Sequence, residues 1–210
     1  MKRLLAALLL LQVTVAAAQV GKLLPTDEAV RDPALFAFRA QLQAAVARHD
    51  SEAVLAAVHP NIKNSFGGDD GIDAFKRIWK LPGHDSPLWD ELGTVLALGG
   101  AFHDSDTFAA PYVYQRWPER FDSFEHVAVL GTGVRVRSEP GLNGRILTSL
   151  SFDVVRLDGP AGDSGWTRVK LRDSRTGYIS SRYVRSPVDY RALFEKADGR
   201  WRLAFFVAGD

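Results

Sequence analysis

The sequence predicts an α+β protein: an N-terminal helical/α+β domain completed by a C-terminal β-hairpin, with a small β-barrel before that hairpin. Three observations carry the prediction. Apolar residues recur at three- and four-residue spacing between residues 33 and 98. From Ala110 the period changes to two, in short runs cut by turn residues. The chain closes on two apolar runs around Asp198-Gly199, a dipeptide suited to a two-residue hairpin turn.

Pro33 opens a helix carrying Leu35, Phe36, Phe38, Leu42, Ala45 and Val46. Asp50 or Ser51 caps a short second helix that holds Val54, Leu55 and Val58 and ends at His59-Pro60. "NIKNSFGGDDG" reads as a short strand and a glycine turn, after which Asp70 caps a helix whose Ile72, Phe75, Ile78 and Trp79 share a face. "LWDELGTVLALGG" is a further helix, from Leu88 to about Leu98, stopped by Gly99-Gly100. "PYVYQRW" and "EHVAVLG" read as strands. "VRVRSEP", "RILTSL", "DVVRLD", "GWTRVKL" and "GYISSRYV" are short strand-like runs between turns, the pattern of a small all-β barrel. In the last strand Trp201, Leu203, Phe205 and Val207 fall on one face.

The first residues, "MKRLLAALLLLQVTVAAAQ", combine a basic start, an apolar run and a small-residue end. That is a signal-peptide pattern over residues 1–18, with cleavage expected after Ala18. The apolar run from Leu4 to Leu11 is shorter than the ~20 residues a spanning helix needs. A periplasmic or secreted protein with no membrane span after cleavage is expected. The chain has no cysteine, which excludes disulfides, thiolate metal sites and cysteine nucleophiles.

Formal charge is +1 over the 210 residues. Its distribution is uneven. Residues 19–130 hold 10 Lys/Arg and 16 Asp/Glu, residues 131–186 hold 10 and 5, and residues 187–210 hold 4 and 4. An acidic half beside a basic half predicts that the two dock on one another or that the basic half meets an anionic partner. No aromatic-rich basic stripe accompanies the charge, so nucleic acid is not expected as a partner.

Four separated blocks, "GVRVRSEPG", "LTSLSFDVVRL", "GWTRVKL" and "TGYISSRYV", resemble the bacterial SH3-like (SH3b) domain in order and spacing. Arg135, Glu139 and Ser151-Phe152-Asp153 depart from the usual pattern. The resemblance implies an SH3-like barrel in an exported cell-envelope protein, used as a wall- or peptide-targeting module. In the flanks, "RHDSEAVLAAVHP", "GGDDGIDAFKRIW" and "DGRWRLAFFVAGD" resemble nuclear-transport-factor-2-like α+β domains. With the signal-peptide pattern at 1–18, these resemblances imply an α+β domain at 19–126, an SH3-like barrel at 127–186 and a hairpin at 187–210 that packs on the first domain; the alternative is two units in series, with the hairpin extending the barrel.

Candidate ligand-binding residues follow from the alternation. Arg135, Arg137, Arg168, Lys170 and Arg172 fall at alternate positions on two predicted strands, a basic face if the strands are neighbours. Val134 and Val136 then face the interior. Trp166, Tyr178 and Tyr183 are candidates for a groove that stacks a sugar or peptide, and Trp166 and Tyr178 equally supply bulk to the barrel. "SFGGDDG" and "HDSD" lack metal-ligand spacing, so no metal or other cofactor is expected. In a cone-shaped fold His59, Asp73, Trp79 and Tyr112 are candidates to reach its pocket. No G-x-S-x-G, S-x-x-K or H-E-x-x-H occurs, and no enzyme is expected. The expected function is non-catalytic binding of peptidoglycan, a peptide or a partner protein in the envelope. The alternative is a small-molecule-binding or enzymatic cone-shaped domain with the barrel as accessory.

Overall fold

The computed structural model describes residues 21–159 and 164–209. The expected signal peptide lies outside the described residues. Among the described residues no helix is long and apolar enough to cross a membrane.

Four helices pack on a five-stranded sheet. They are α1 (Pro33–Ala47), α2 (Ser51–Ala57), α3 (Ile72–Ile78) and α4 (Leu88–Ala97). The sheet has the order β1 (Val58–Lys63), β12 (Arg200–Val207), β11 (Arg191–Ala197), β3 (Thr107–Ala110), β2 (Ala101–Phe102). β1 and β12 are parallel neighbours, and the other described strand pairs of this sheet are antiparallel. Local chemistry sets the starts and stops. Asp32 caps α1, accepting from the Ala34 and Leu35 N–H groups, with Pro33 as first helical residue. Asp50 caps α2 through the Ala53 N–H. Asp198 and Gly199 both take positive φ, 50° and 73°, as the tight turn between β11 and β12 demands. One apolar cluster joins α1, α4 and the sheet, with Leu35, Leu92, Phe108, Phe194 and Phe206 fully enclosed.

Several expectations need correcting. Val58 leaves α2 and opens β1, because Pro60 cannot continue a helix. Gly71, at φ 88°, precedes α3 in place of Asp70, whose carboxylate pairs with Lys63. "PYVYQRW" holds the short helix α5 (Tyr112–Gln115): Tyr112 and Val113 are both buried, which a strand with one open face does not allow. On β12 the register skips Ala204, since Leu193 faces Phe205 while Phe194 faces Leu203. That bulge puts Phe206, not Phe205, in the core.

β3 and β11 are sheet neighbours, and the described strands between them form a second sheet. Its order is β10 (Val184–Arg185), β4 (His126–Val129), β7 (Val154–Leu157), β8 (Trp166–Lys170), β9 (Thr176–Ser180), β5 (Val134–Arg137), β6 (Ile146–Leu150). Val127 and Val129 of β4 and Val134 and Val136 of β5 share one apolar cluster with Val155, Val169 and Ile179. The ladder therefore curls on itself. It does not close among the described residues: β10 and β6 are its edges, and a single bridge, Arg137 to Tyr178, joins β5 to β9. The closed barrel expected from the sequence is thus an open, curled ladder here.

Two devices hold the sheets together. Arg185 of β10 is buried and donates from Nη2 to Glu91 Oε1 of α4 at 2.9 Å and to the Tyr190 carbonyl at 2.7 Å. The segment from Gly21 to Asp32 laces both units. Gly21 O accepts from the Val154 N–H, Leu23 N–H donates to Phe152 O, and Glu28 N–H donates to Gly100 O. A third cluster, Leu23, Tyr112, Val113, Ala128 and Val154, fills the junction. Burial of Tyr112 there pushes its hydroxyl pKa up to about 12.

Carboxylates anchor this lacing segment. Burial alone would raise the Asp27 pKa, but hydrogen bonds from buried Arg39 and the Ala29 N–H outweigh it and hold the group below the ordinary carboxylate range. Burial likewise pushes the Glu28 pKa up, but hydrogen bonds from the Phe102 N–H and Arg116 outweigh it and hold the group below the ordinary carboxylate range. Asp32 is lowered foremost by the Lys196 ammonium and then by the Leu35 N–H. A folded pKa below the unfolded one gives stability that is complete above the unfolded value and fades as pH falls through the folded one. Below about pH 4, residues 26–32 are therefore expected to lose amide-exchange protection ahead of the sheet cores. Equal protection of this segment at pH 5 and pH 3 would contradict the assignment.

Candidate functional site

A cleft of about 730 Å³ opens in the second sheet where β6 and β7 part. The turn between them is not a hairpin. Phe152 takes a left-handed φ of 56°, and Lys22 is bridged to Asp153 alongside it. The Lys22 ammonium donates to Ser151 O at 2.6 Å and to Asp153 Oδ2 at 3.0 Å. The lacing segment thus pairs with the chain at the start of β7. Leu150, Val154, Val155 and Leu171 form an apolar floor. Arg120, Arg156, Lys170, Arg172 and Arg175 line the cleft, against two acids, Asp153 and Asp173. His126 and Phe121 close one side.

The strand register explains the rim. His126 faces Arg156 across β4 and β7, and Arg156 faces Lys170 across β7 and β8. Paired residues share a sheet face, so two cations stand side by side there. Arg156 reaches Glu125 at 3.0 Å and Arg175 reaches Asp173 at 2.7 Å. The Arg175 side chain, then the Arg175 N–H, hold Asp173 below the ordinary carboxylate range. The rim keeps a positive excess over an apolar floor. Such a surface suits a ligand with a carboxylate or phosphate next to an apolar body.

The residues expected from the sequence are only partly brought here. Lys170 and Arg172 line the cleft, and Arg172 lies 4.0 Å from Asp153. The predicted continuous basic face does not form, because β9 lies between β8 and β5. Arg135 is exposed opposite Ser149 on the β5–β6 hairpin. Arg137 is 9% exposed and donates from Nη1 to the Gly144 carbonyl at 2.7 Å, under the turn that follows β5. Arg168 pairs with Asp158 at 3.1 Å. Asp158 is lowered foremost by a hydrogen bond from Thr176, and Arg168 and Lys170 add to it.

Trp166, Tyr178 and Tyr183 do not line the cleft. Trp166 and Tyr178 are half-buried and sit outside the apolar cluster, alternating with Thr167 and Ile179, which point in. They supply no core bulk, correcting the sequence expectation. Tyr183 is exposed in a 3-10 turn with the Arg182 guanidinium over its ring. Val134 and Val136 face the interior. His59, Asp73, Trp79 and Tyr112 do not converge either: Trp79 packs on Phe206 in the first core, Tyr112 is at the junction, and Asp73 is solvated. Sequence reasoning missed Arg156, Arg120, Arg175 and His126. Only Arg156 carried a signal, alternating with Val155 in "DVVRLD".

No protein-family model matches the chain. The probable endopeptidase p60 of Listeria grayi is 31% identical over 78 residues, which is 35% of this chain and 15% of that protein. The chain therefore spans a small part of that relative's length. Among solved structures, an NTF-2-like protein of unknown function from Shewanella oneidensis MR-1 is similar at 14% identity and a TM-score of 0.33, over 86% of this chain and 99% of the other. An overlap at that score carries no argument.

Proposed function

We propose that the protein is an exported, non-catalytic cell-envelope protein whose β4–β10 unit, an SH3-like barrel of the SH3b type, binds peptide carboxylates of peptidoglycan. The observation that carries this reading is the cleft beside β7 and β8, with five basic residues lining it against two acids over an apolar floor. Similarity to a probable endopeptidase supports peptide recognition by the shared stretch. Peptide cleavage is not carried over, because the chain spans 15% of that protein. The "MKRLLAALLLLQVTVAAAQ" pattern supports export, with Gln19 as the mature N-terminus.

Retention on purified peptidoglycan sacculi tests the reading. Binding through the rim is expected at low salt and weakens as salt screens the charges. No retention at any salt would sink it. Export has its own check: mass spectrometry of periplasmic material is expected to show a chain beginning at Gln19. An intact Met1 in the cytoplasm would refute it.

A further inference from the structure

We propose that His49 and His84 form a two-imidazole site for a tetrahedral transition-metal ion, zinc foremost. This site is separate from the cleft and does not depend on the peptidoglycan reading. It also departs from the sequence expectation that no metal is bound. The two rings come from segments 35 residues apart, yet their Nδ1 atoms face each other at 3.4 Å. Zinc–imidazole bonds run about 2.0–2.1 Å, and two of them spanning that separation subtend about 110°, the tetrahedral angle.

The surroundings hold the pair in place. His49 follows α1 in a left-handed conformation, φ 54°, that a non-glycine residue adopts only when its neighbours impose it. Its backbone N–H donates to Val46 O at 3.0 Å. Its ring stacks on the buried Trp89 indole at 5.1 Å and 7°. The same indole donates from Nε1 to the His84 carbonyl at 2.9 Å. Trp89 thus orients one imidazole by its face and anchors the other by its edge. A groove of about 380 Å³, lined by His49, Trp89, Val46, Asp90 and Gly93 among others, opens beside His49.

Asp50 is occupied elsewhere, capping α2 and facing Arg48 at 3.7 Å. Among the described residues no three His, Asp or Glu side chains gather around one point. Two nitrogens and water therefore complete the shell. Each neutral ring coordinates through Nδ1 and keeps its proton on Nε2, and a ring that starts protonated releases that proton to solvent.

The test is calorimetric titration of zinc chloride into the untagged full chain. One saturable site per chain is expected. His84→Gln and His49→Gln each weaken it at least about tenfold, while His59→Gln leaves it unchanged. His84 lies on an exposed loop, so its glutamine variant keeps the fold, checked by circular dichroism. Tryptophan emission is expected to change with zinc in the parent chain and not in the His84→Gln variant. Equal zinc affinity in the parent and in His84→Gln overturns the proposal. So does the lack of saturable binding up to about 1 mM zinc.

Discussion

Replacing Phe194 by alanine is expected to destabilise the protein by about 3–5 kcal/mol. Phe194 is fully buried on β11, a strand paired on both sides, with β12 and β3. Its ring meets Phe38 of α1 edge-on at 5.9 Å and Phe108 of β3 at 6.3 Å. Truncation removes the apolar contact between helix layer and sheet at one point, and strands hydrogen-bonded on both edges cannot close the void. Phe36, half-exposed on the other side of α1, is the control, with an expected cost within about 0.5 kcal/mol. Urea titration of both variants reads the difference. A Phe194→Ala cost as small as that of Phe36→Ala would mean that the first core is not packed as described.

Arg185→Ala is expected to cost about 2–4 kcal/mol and to uncouple the two sheets. The guanidinium bridges β10 of the second sheet to Glu91 on α4 and to the Tyr190 carbonyl at the start of the return into β11. Removal leaves the Glu91 carboxylate and the Tyr190 carbonyl without the donor they share. Lysine at this position keeps the charge but loses the fork that serves two acceptors, so Arg185→Lys falls between. Glu91→Gln costs less, because that carboxylate is about a third exposed. Calorimetry is expected to show one transition for the parent chain and two for Arg185→Ala. A single transition at an unchanged midpoint in the variant would contradict the clasp.

Part of this architecture was legible in the sequence because it rests on local chemistry. Asp50 as a cap, the Asp198-Gly199 turn and the inward Val134 and Val136 depend on a few adjacent residues. What was misread depends on register or on distant cover. The Ala204 bulge moved Phe206 into the core and Phe205 out, which alternation in one strand cannot reveal. Arg137 was expected to reach out, yet the turn after β5 covers it and the Gly144 carbonyl accepts a hydrogen bond from it. The cleft was hidden for the same reason. It depends on Lys22 sitting beside Asp153, 131 residues away, and on β7 bringing Arg156 against Lys170. Charge left open whether the basic half docks on the acidic one or meets an anionic partner, and Arg185, which pairs with Glu91 of α4, was not among the candidates.

The most direct measurement is sacculus retention of the parent chain beside an Arg156→Glu/Lys170→Glu variant, at low and high salt. Both side chains are exposed on the cleft rim, so the variant is expected to fold. The reading predicts that the parent is retained at low salt and released at high salt, and that the variant is lost from the pellet at every salt concentration. Arg135→Glu, away from the cleft, is expected to behave like the parent. Equal retention of the parent and the double variant would contradict the cleft as the binding site.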